Sequence, residues 1–425
     1  MNDELLPYYE RELLFVRRMA QEFAEQYPQR ASALKLTHAG CDDPHVERIL
    51  EAFALIAGRI QRKIDDEFPE ITQALLDVLY PHLLRPVPSM AIAQFEVDRE
   101  QAKSPTGHLV PRGSITYTEP AGGIECRFRT AYPVRLFPVG VRSAGFSRAA
   151  NLAGGISGPG APYALRIELE TWGMTKFSSL ELRDLRFHLG GDRQAAYWIY
   201  ESLFTNVRQV LVRYEEKGGR YHSQPLPPDS IREVGFGRDE AVLPYAATSF
   251  QGYRLLQEYF CFPQKFLFFD LTGLETVPRP QSDRLEIVIL LSEFEREERP
   301  QLLESAVGVD TFQLGCTPVV NLFEQCSEPI RVSHTRPEYP VIPDVHAPLA
   351  MEVYSINRVV SVTPYAEEPK EYYPFYSLRH DDMDGEGQAF WYATRRASER
   401  SGDAGTDVYL SLVDPNFKPT LPATE

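Results

Sequence analysis

Cys316, in Gly315-Cys316-Thr317-Pro318, has His334 further along the chain. A thiol beside an imidazole that takes its proton would make a nucleophile. Spacing alone does not bring the two together, and a buried free cysteine is the commoner case. His380-Asp381-Asp382-Met383-Asp384-Gly385 is the most metal-like cluster. Laid on a calcium-binding loop, Asp382, Asp384 and Gly385 take the third, fifth and sixth positions. His380 then falls at the first and Trp391 at the twelfth, where calcium requires a bidentate glutamate. The run therefore reads as a solvated acidic turn. Gly154, Gly155, Gly158 and Gly160 form a glycine-rich stretch without the Lys-Ser/Thr that a phosphate loop needs. It reads as a surface loop. There is no HExxH helix, no zinc spacing of His and Cys and no GxSxG elbow. No catalytic residue, metal or cofactor is expected.

Composition narrows the class. The chain has 425 residues, 43% hydrophobic, enough for two or three domains with ordinary cores. Lys and Arg total 44 against 60 Asp and Glu, a net charge of −16. Such a chain repels phosphate backbones, and no Lys/Arg run exceeds a pair, so nucleic acid is not an expected partner. The acidic start Met1-Asn2-Asp3-Glu4 is unlike a secretory leader. The densest apolar run, Ile287–Leu291, is far short of a membrane span, which takes about 20 residues. Five scattered cysteines without a CxxC fit free thiols in a reducing compartment. A cytoplasmic protein without membrane insertion is expected.

The elements that must carry any function change character along the chain. In the first stretch Tyr9, Leu13, Val16, Ala20, Phe23 and Tyr27 recur at spacings of three and four, one face of a helix. Tyr8, Leu14, Phe15 and Met19 widen that face beyond a single contact stripe. Asp43 followed by Pro44 reads as a cap and first position of a second helix, with Val46, Ile49, Leu50, Phe53, Ala57, Ile60 and Ile64 on one face. Pro69 restarts a third helix, and Pro81, Pro86 and Pro88 close the bundle. Beyond Pro88 the period becomes two. Leu165, Ile167 and Leu169 alternate with charged residues, and Leu285–Leu291 reads as a strand buried on both faces. Strands are also expected at 90–97, 109–117, 125–130, 207–214, 351–360 and 407–413, with helices at 193–204 and 253–260. The expected class is α+β: a helical assembly domain at 1–88, a β-rich middle domain at 89–270 and a β-rich C-terminal domain at 271–425, with a few short helices.

The aromatic block Tyr253–Phe269 holds seven aromatic side chains. It reads first as core, with both faces of Phe266–Phe269 covered, and secondly as a partner surface. Two other functional classes are a β-rich hydrolase acting on glycans through paired carboxylates and a glycan- or peptide-binding module using this block.

Longer motifs carry a resemblance. Tyr8-Tyr9-Glu10-Arg11-Glu12-Leu13, Glu22-Phe23-Ala24, Tyr27-Pro28, Asp43-Pro44-His45-Val46-Glu47-Arg48 and Leu79-Tyr80-Pro81-His82 resemble the opening of the TssF family. The likeness continues in Arg85-Pro86, Pro88-Ser89, Tyr253–Phe269, Gly315–Phe323, Pro343-Asp344 and Glu352–Ser355, so it spans essentially the whole chain. TssF proteins, also called ImpG or VasA, are baseplate wedge subunits of the bacterial type VI secretion system, a phage-like contractile machine. Family members usually extend further, so a C-terminal segment is expected to be missing. The resemblance implies a structural, non-enzymatic role. It also implies pairing with a second TssF around TssG, contacts with TssE, TssK and the spike hub, and help in nucleating the sheath and tube. The location implied is cytoplasmic, docked at the inner-membrane secretion complex. A helical bundle shared with TssG would use the first apolar faces, which makes Tyr9, Leu13, Val16, Phe23, Tyr27, Phe53 and Ile60 the candidate interface residues.

Overall fold

The computed structural model describes residues 5–414, except 38–39, 42, 67–68, 99–103, 121–122, 154–157, 174, 217–219, 248, 297, 334–335, 363–369, 377–388 and 401. The class is α+β, helical first and β-rich after. Two compact units emerge, one up to Leu84 and one chiefly from Arg85 onward. Their division falls within the proline-rich stretch that runs from Pro81 to Pro88.

The first unit holds α1 (Leu6–Gln26), α2 (Pro28–Ala33), the paired two-residue strands Leu36–Thr37 and Gly40–Cys41, α3 (Pro44–Asp66) and α4 (Pro69–Leu79). Proline opens α2, α3 and α4, because a first helical position needs no N–H donor. At Pro28 the expected stop of the first helix is therefore also the start of another. Asp43 caps α3, accepting from the His45 amide at 2.9 Å. That hydrogen bond holds its carboxyl below the usual carboxylate range. The helices α1 and α3 pack together. Arg17 on α1 donates to Glu47 on α3 at 2.5 Å through Nη2 and 3.1 Å through Nε.

The second unit is built on mainly antiparallel sheets, with a parallel pair between Lys370–Pro374 and Phe390–Ala397. One five-stranded sheet runs in the order Tyr221–Pro225, Val207–Glu215, Arg284–Leu291, Tyr163–Thr171, Val139–Arg148. Its centre is the expected strand buried on both faces, with Ile287 facing Ile167 on one neighbour and Val212 on the other. A four-stranded sheet runs Ile231–Glu233, Phe268–Leu271, Leu185–Leu189, Phe312–Gln313. Here Phe187 and Phe269 stack with centroids 5.2 Å apart, inside the same core. The helices α5 (Arg193–Thr205) and α7 (Glu298–Ala306) bury Ile199, Leu203 and Leu303 in this core. Position 270/271, the expected boundary between the second and third domains, falls inside the strand Phe268–Leu271. A cut there would split the strand Phe268–Leu271 and remove the central strand Arg284–Leu291 from both its neighbours. Sequence order and sheet order differ because the chain returns to strands laid down much earlier.

Two smaller expectations also change. The strand expected at 109–117 is two strands, His108–Val110 and Ile115–Tyr117, separated by a turn in which Gly113 has φ +85°. Of 351–360, only Val359 and Val360 are paired, in the short strand Val359–Ser361. The helix α7 was not expected, because its pattern is weakly periodic and Pro300 interrupts it early.

Candidate assembly surface

The packing of α1 against α3 decides which apolar residues face outward. At the contact α3 presents its small residues. Ala54 is fully buried and Gly58 is buried four positions on. A Cβ placed on Gly58 would lie 3.0 Å from the Tyr9 backbone nitrogen. The two backbones therefore approach closely, and a larger side chain at 58 must push them apart. Gly58→Leu is expected to lower stability by about 1–3 kcal/mol, the usual cost of overpacking. Thermal melting of the chain with and without the substitution checks this.

With the small residues facing in, five large ones on α3 face out. Ile49, Phe53, Ile56, Ile60 and Ile64 are all at least half exposed. Their spacings of four, three, four and four put them on one side of the helix. The stripe is roughly 22 Å long at 1.5 Å per residue. On α1, Leu14, Phe15 and Met19 are also exposed, with the Arg18 guanidinium 5.8 Å from the Phe15 ring centroid. On α4, Leu75 and Leu79 are exposed. No residue of α1 is fully buried. Burying the exposed halves of the five α3 side chains would contribute on the order of 5 kcal/mol.

The seven interface candidates separate on this geometry. Phe53 and Ile60 lie in the exposed α3 stripe, and Tyr27 is exposed at the end of α1. Tyr9, Leu13, Val16 and Phe23 are half-buried. Ile49, Ile56 and Ile64 belong to the stripe but were not among the candidates. The signal that could have found them is the pair of small residues, Ala54 and Gly58, on the opposite side of the same helix.

The candidates for chemistry come apart. Cys316 is buried in the strand Cys316–Val320, and burial pushes its thiol up to about 12, so it holds no thiolate at neutral pH. His334 lies outside the described residues, as do the whole acidic turn at 380–385 and residues 154–157 of the glycine-rich stretch. Among the described residues no group of three His, Cys, Asp or Glu side chains could hold a metal ion. Among them also, no helix is long and apolar enough to cross a membrane.

The aromatic block divides in two. Phe266, Phe268 and Phe269 are buried, as the core reading expects. Tyr253, Tyr259 and Phe260, on α6 (Gln251–Cys261), are exposed, against that reading.

Comparison with known proteins identifies the family. The family model described as "Type VI secretion system, TssF" matches residues 1–425. The chain is 36% identical over 435 residues to the type VI secretion system component TssF1 of Pseudomonas aeruginosa, covering 99% of this chain and 69% of that protein. It is also similar to a chain in the cryo-electron microscopy structure of the type VI secretion system TssK-TssF-TssG baseplate subcomplex. There the TM-score is 0.68 at 25% identity, over 86% of this chain and 65% of that one. The chain thus spans about two thirds of the length of both relatives. With the family model matching from end to end and the sequence identity extending along nearly the whole chain, this protein belongs to the TssF family of the type VI secretion system.

Proposed function

We propose that the chain is a structural wedge component of a type VI secretion baseplate and acts by burying surface against partner subunits, without catalysis. The observation that carries this is the exposed apolar stripe on α3 in a chain whose structural relative sits in a TssK-TssF-TssG baseplate subcomplex. A monomer in water gains nothing from such a stripe; a helix of a partner laid along it removes it from solvent. TssG is the proposed occupant, and TssK a second partner. At finer grain, the reading includes a second copy of this chain around the same TssG, contacts to TssE and the spike hub, and nucleation of the contractile sheath and tube. It also places the assembly in the cytoplasm, at the inner-membrane complex. Closed symmetry would limit the size of such an assembly. Neither a glycan hydrolase nor a glycan-binding module gains support from the family.

The test is co-expression with TssG and TssK, followed by mass measurement of the intact complex. A stable complex with more than one copy of this chain per TssG is expected. A chain that stays monomeric with both proteins present overturns the reading.

A further inference from the structure

The helix α6 is turned inside out. Its inner face carries its charged residues, Arg254 and Glu258, both buried. Its outer side carries Tyr253, Leu256, Tyr259 and Phe260, with Phe250 at the preceding cap position, and Phe260 is 79% exposed. Hydrophobic burial alone would orient the helix the other way.

A buried polar network holds it in this orientation. One Glu258 carboxylate oxygen accepts from the Val242 and Leu243 amides at 2.8 and 3.1 Å. The other accepts from the Lys265 ammonium, which also donates to the Glu240 carbonyl at 3.1 Å. Arg254 donates to the carbonyls of Phe236, Gly237 and Arg238 at 2.9–3.2 Å. Turning α6 over would break every bond made by Glu258 and Arg254 at once. Buried ionic groups are weak net stabilisers, and in some proteins they serve to specify one arrangement. The arrangement specified here is an apolar face in water.

The chemistry of that face selects its occupant. Both charged residues of α6 are turned inward, so any charge brought onto the outer face would be buried without a partner. An anionic membrane surface is disfavoured, because the face has no cationic side chain and the chain carries −16. The exposed parts of five large side chains amount to roughly 400–600 Å². A stable pair needs about 800 Å² per partner, so this face would not dimerise the lone chain and fits a subunit already held in the complex by other contacts. Tyr253, Leu256 and Phe260 stand at i, i+3 and i+7, the anchor spacing of a helix seated on an apolar helical surface.

We propose that the outer face of α6 is a second docking face, occupied by an uncharged apolar helical surface of another subunit in the complex formed with TssG and TssK. This rests on the baseplate reading. The experiment is hydroxyl-radical footprinting of the full chain, alone and in the co-expressed complex with TssG and TssK. Labelling of Tyr253, Leu256 and Phe260 is expected to fall several-fold in the complex. The double variant Leu256→Asp/Phe260→Asp should melt like the parent when alone, yet bind the other subunits on the order of thirtyfold more weakly, as for an interface hot spot. Undiminished labelling in an intact complex overturns this inference and leaves the baseplate reading standing. Failure to form any complex overturns both. Concentration-dependent dimerisation of the lone chain, or co-sedimentation with phosphatidylcholine–phosphatidylglycerol vesicles, overturns the proposed occupant if the double variant abolishes it.

Discussion

Replacing Phe53 and Ile60 together by glutamate is expected to abolish co-purification with TssG while leaving the melting temperature of the lone chain within about 2 °C of the parent. Both residues are more than half exposed in the isolated chain, so a carboxylate there stays hydrated and folding loses little. In a complex the same positions are pressed against an apolar surface. Each carboxylate must then lose its water without gaining a partner, and two such burials cost at least about 4 kcal/mol. That is roughly a thousandfold in affinity. The contrast is Leu13→Glu, which is half-buried in the first unit and should lower the melting temperature as well as binding. Pull-down with TssG and thermal melting, run on both variants, separate an outward face from an inward one. If the Phe53→Glu/Ile60→Glu variant still forms the full complex, the α3 stripe is not the docking face.

Glu258→Ala should be the most destabilising single substitution around α6, at about 3–5 kcal/mol. It leaves the Lys265 ammonium, fully buried, without its carboxylate, and leaves the Val242 and Leu243 amides without an acceptor. The loss appears as a lower denaturation midpoint in urea. Glu258→Leu combined with Lys265→Met should recover much of it, because no buried charge then remains. The pH dependence has a definite sign. Burial pushes the Lys265 ammonium below the ordinary lysine value of 10.5, and the Glu258 carboxylate opposes that fall. Removing the carboxylate lowers it further. Between the lowered folded value and 10.5 the unfolded chain binds more protons than the folded one, so stability rises with pH there. The deficit of the Glu258→Ala variant relative to the parent should therefore shrink as pH rises from 7 toward 10.5. A deficit that does not change across that window would mean that the network acts through its hydrogen bonds and not through charge.

Much of the architecture was legible in local signals. Asp43-Pro44 marked the start of α3, and Leu285–Leu291 marked a strand covered on both faces. Each is a property of a few adjacent residues, and backbone sterics or hydrogen bonding act over that same range. The absence of a zinc spacing or a GxSxG elbow was equally local. The sheet order was not legible. Joining Arg284–Leu291 between Tyr163–Thr171 and Val207–Glu215 requires contacts between residues about 70 to 130 positions apart, which no local pattern encodes.

The apolar faces show the limit most clearly. Periodicity established that the α3 sequence has a continuous apolar side, and that the first stretch holds more such surface than its own packing can bury. It did not decide which side meets α1. A reading by hydrophobicity sends the largest side chains inward, whereas the structure sends Ala54 and Gly58 inward, because only small side chains allow the two backbones so close. On α6, hydrophobicity alone would turn Arg254 and Glu258 toward water. Only the fold supplies Lys265, the backbone amides of Val242 and Leu243 and the carbonyls of Phe236 to Arg238 that make their burial possible. Sequence alone thus determined that this chain carries surplus apolar helix surface and the motifs of its family. Tertiary packing decided where that surplus points, because orientation depends on partners that are distant in the chain.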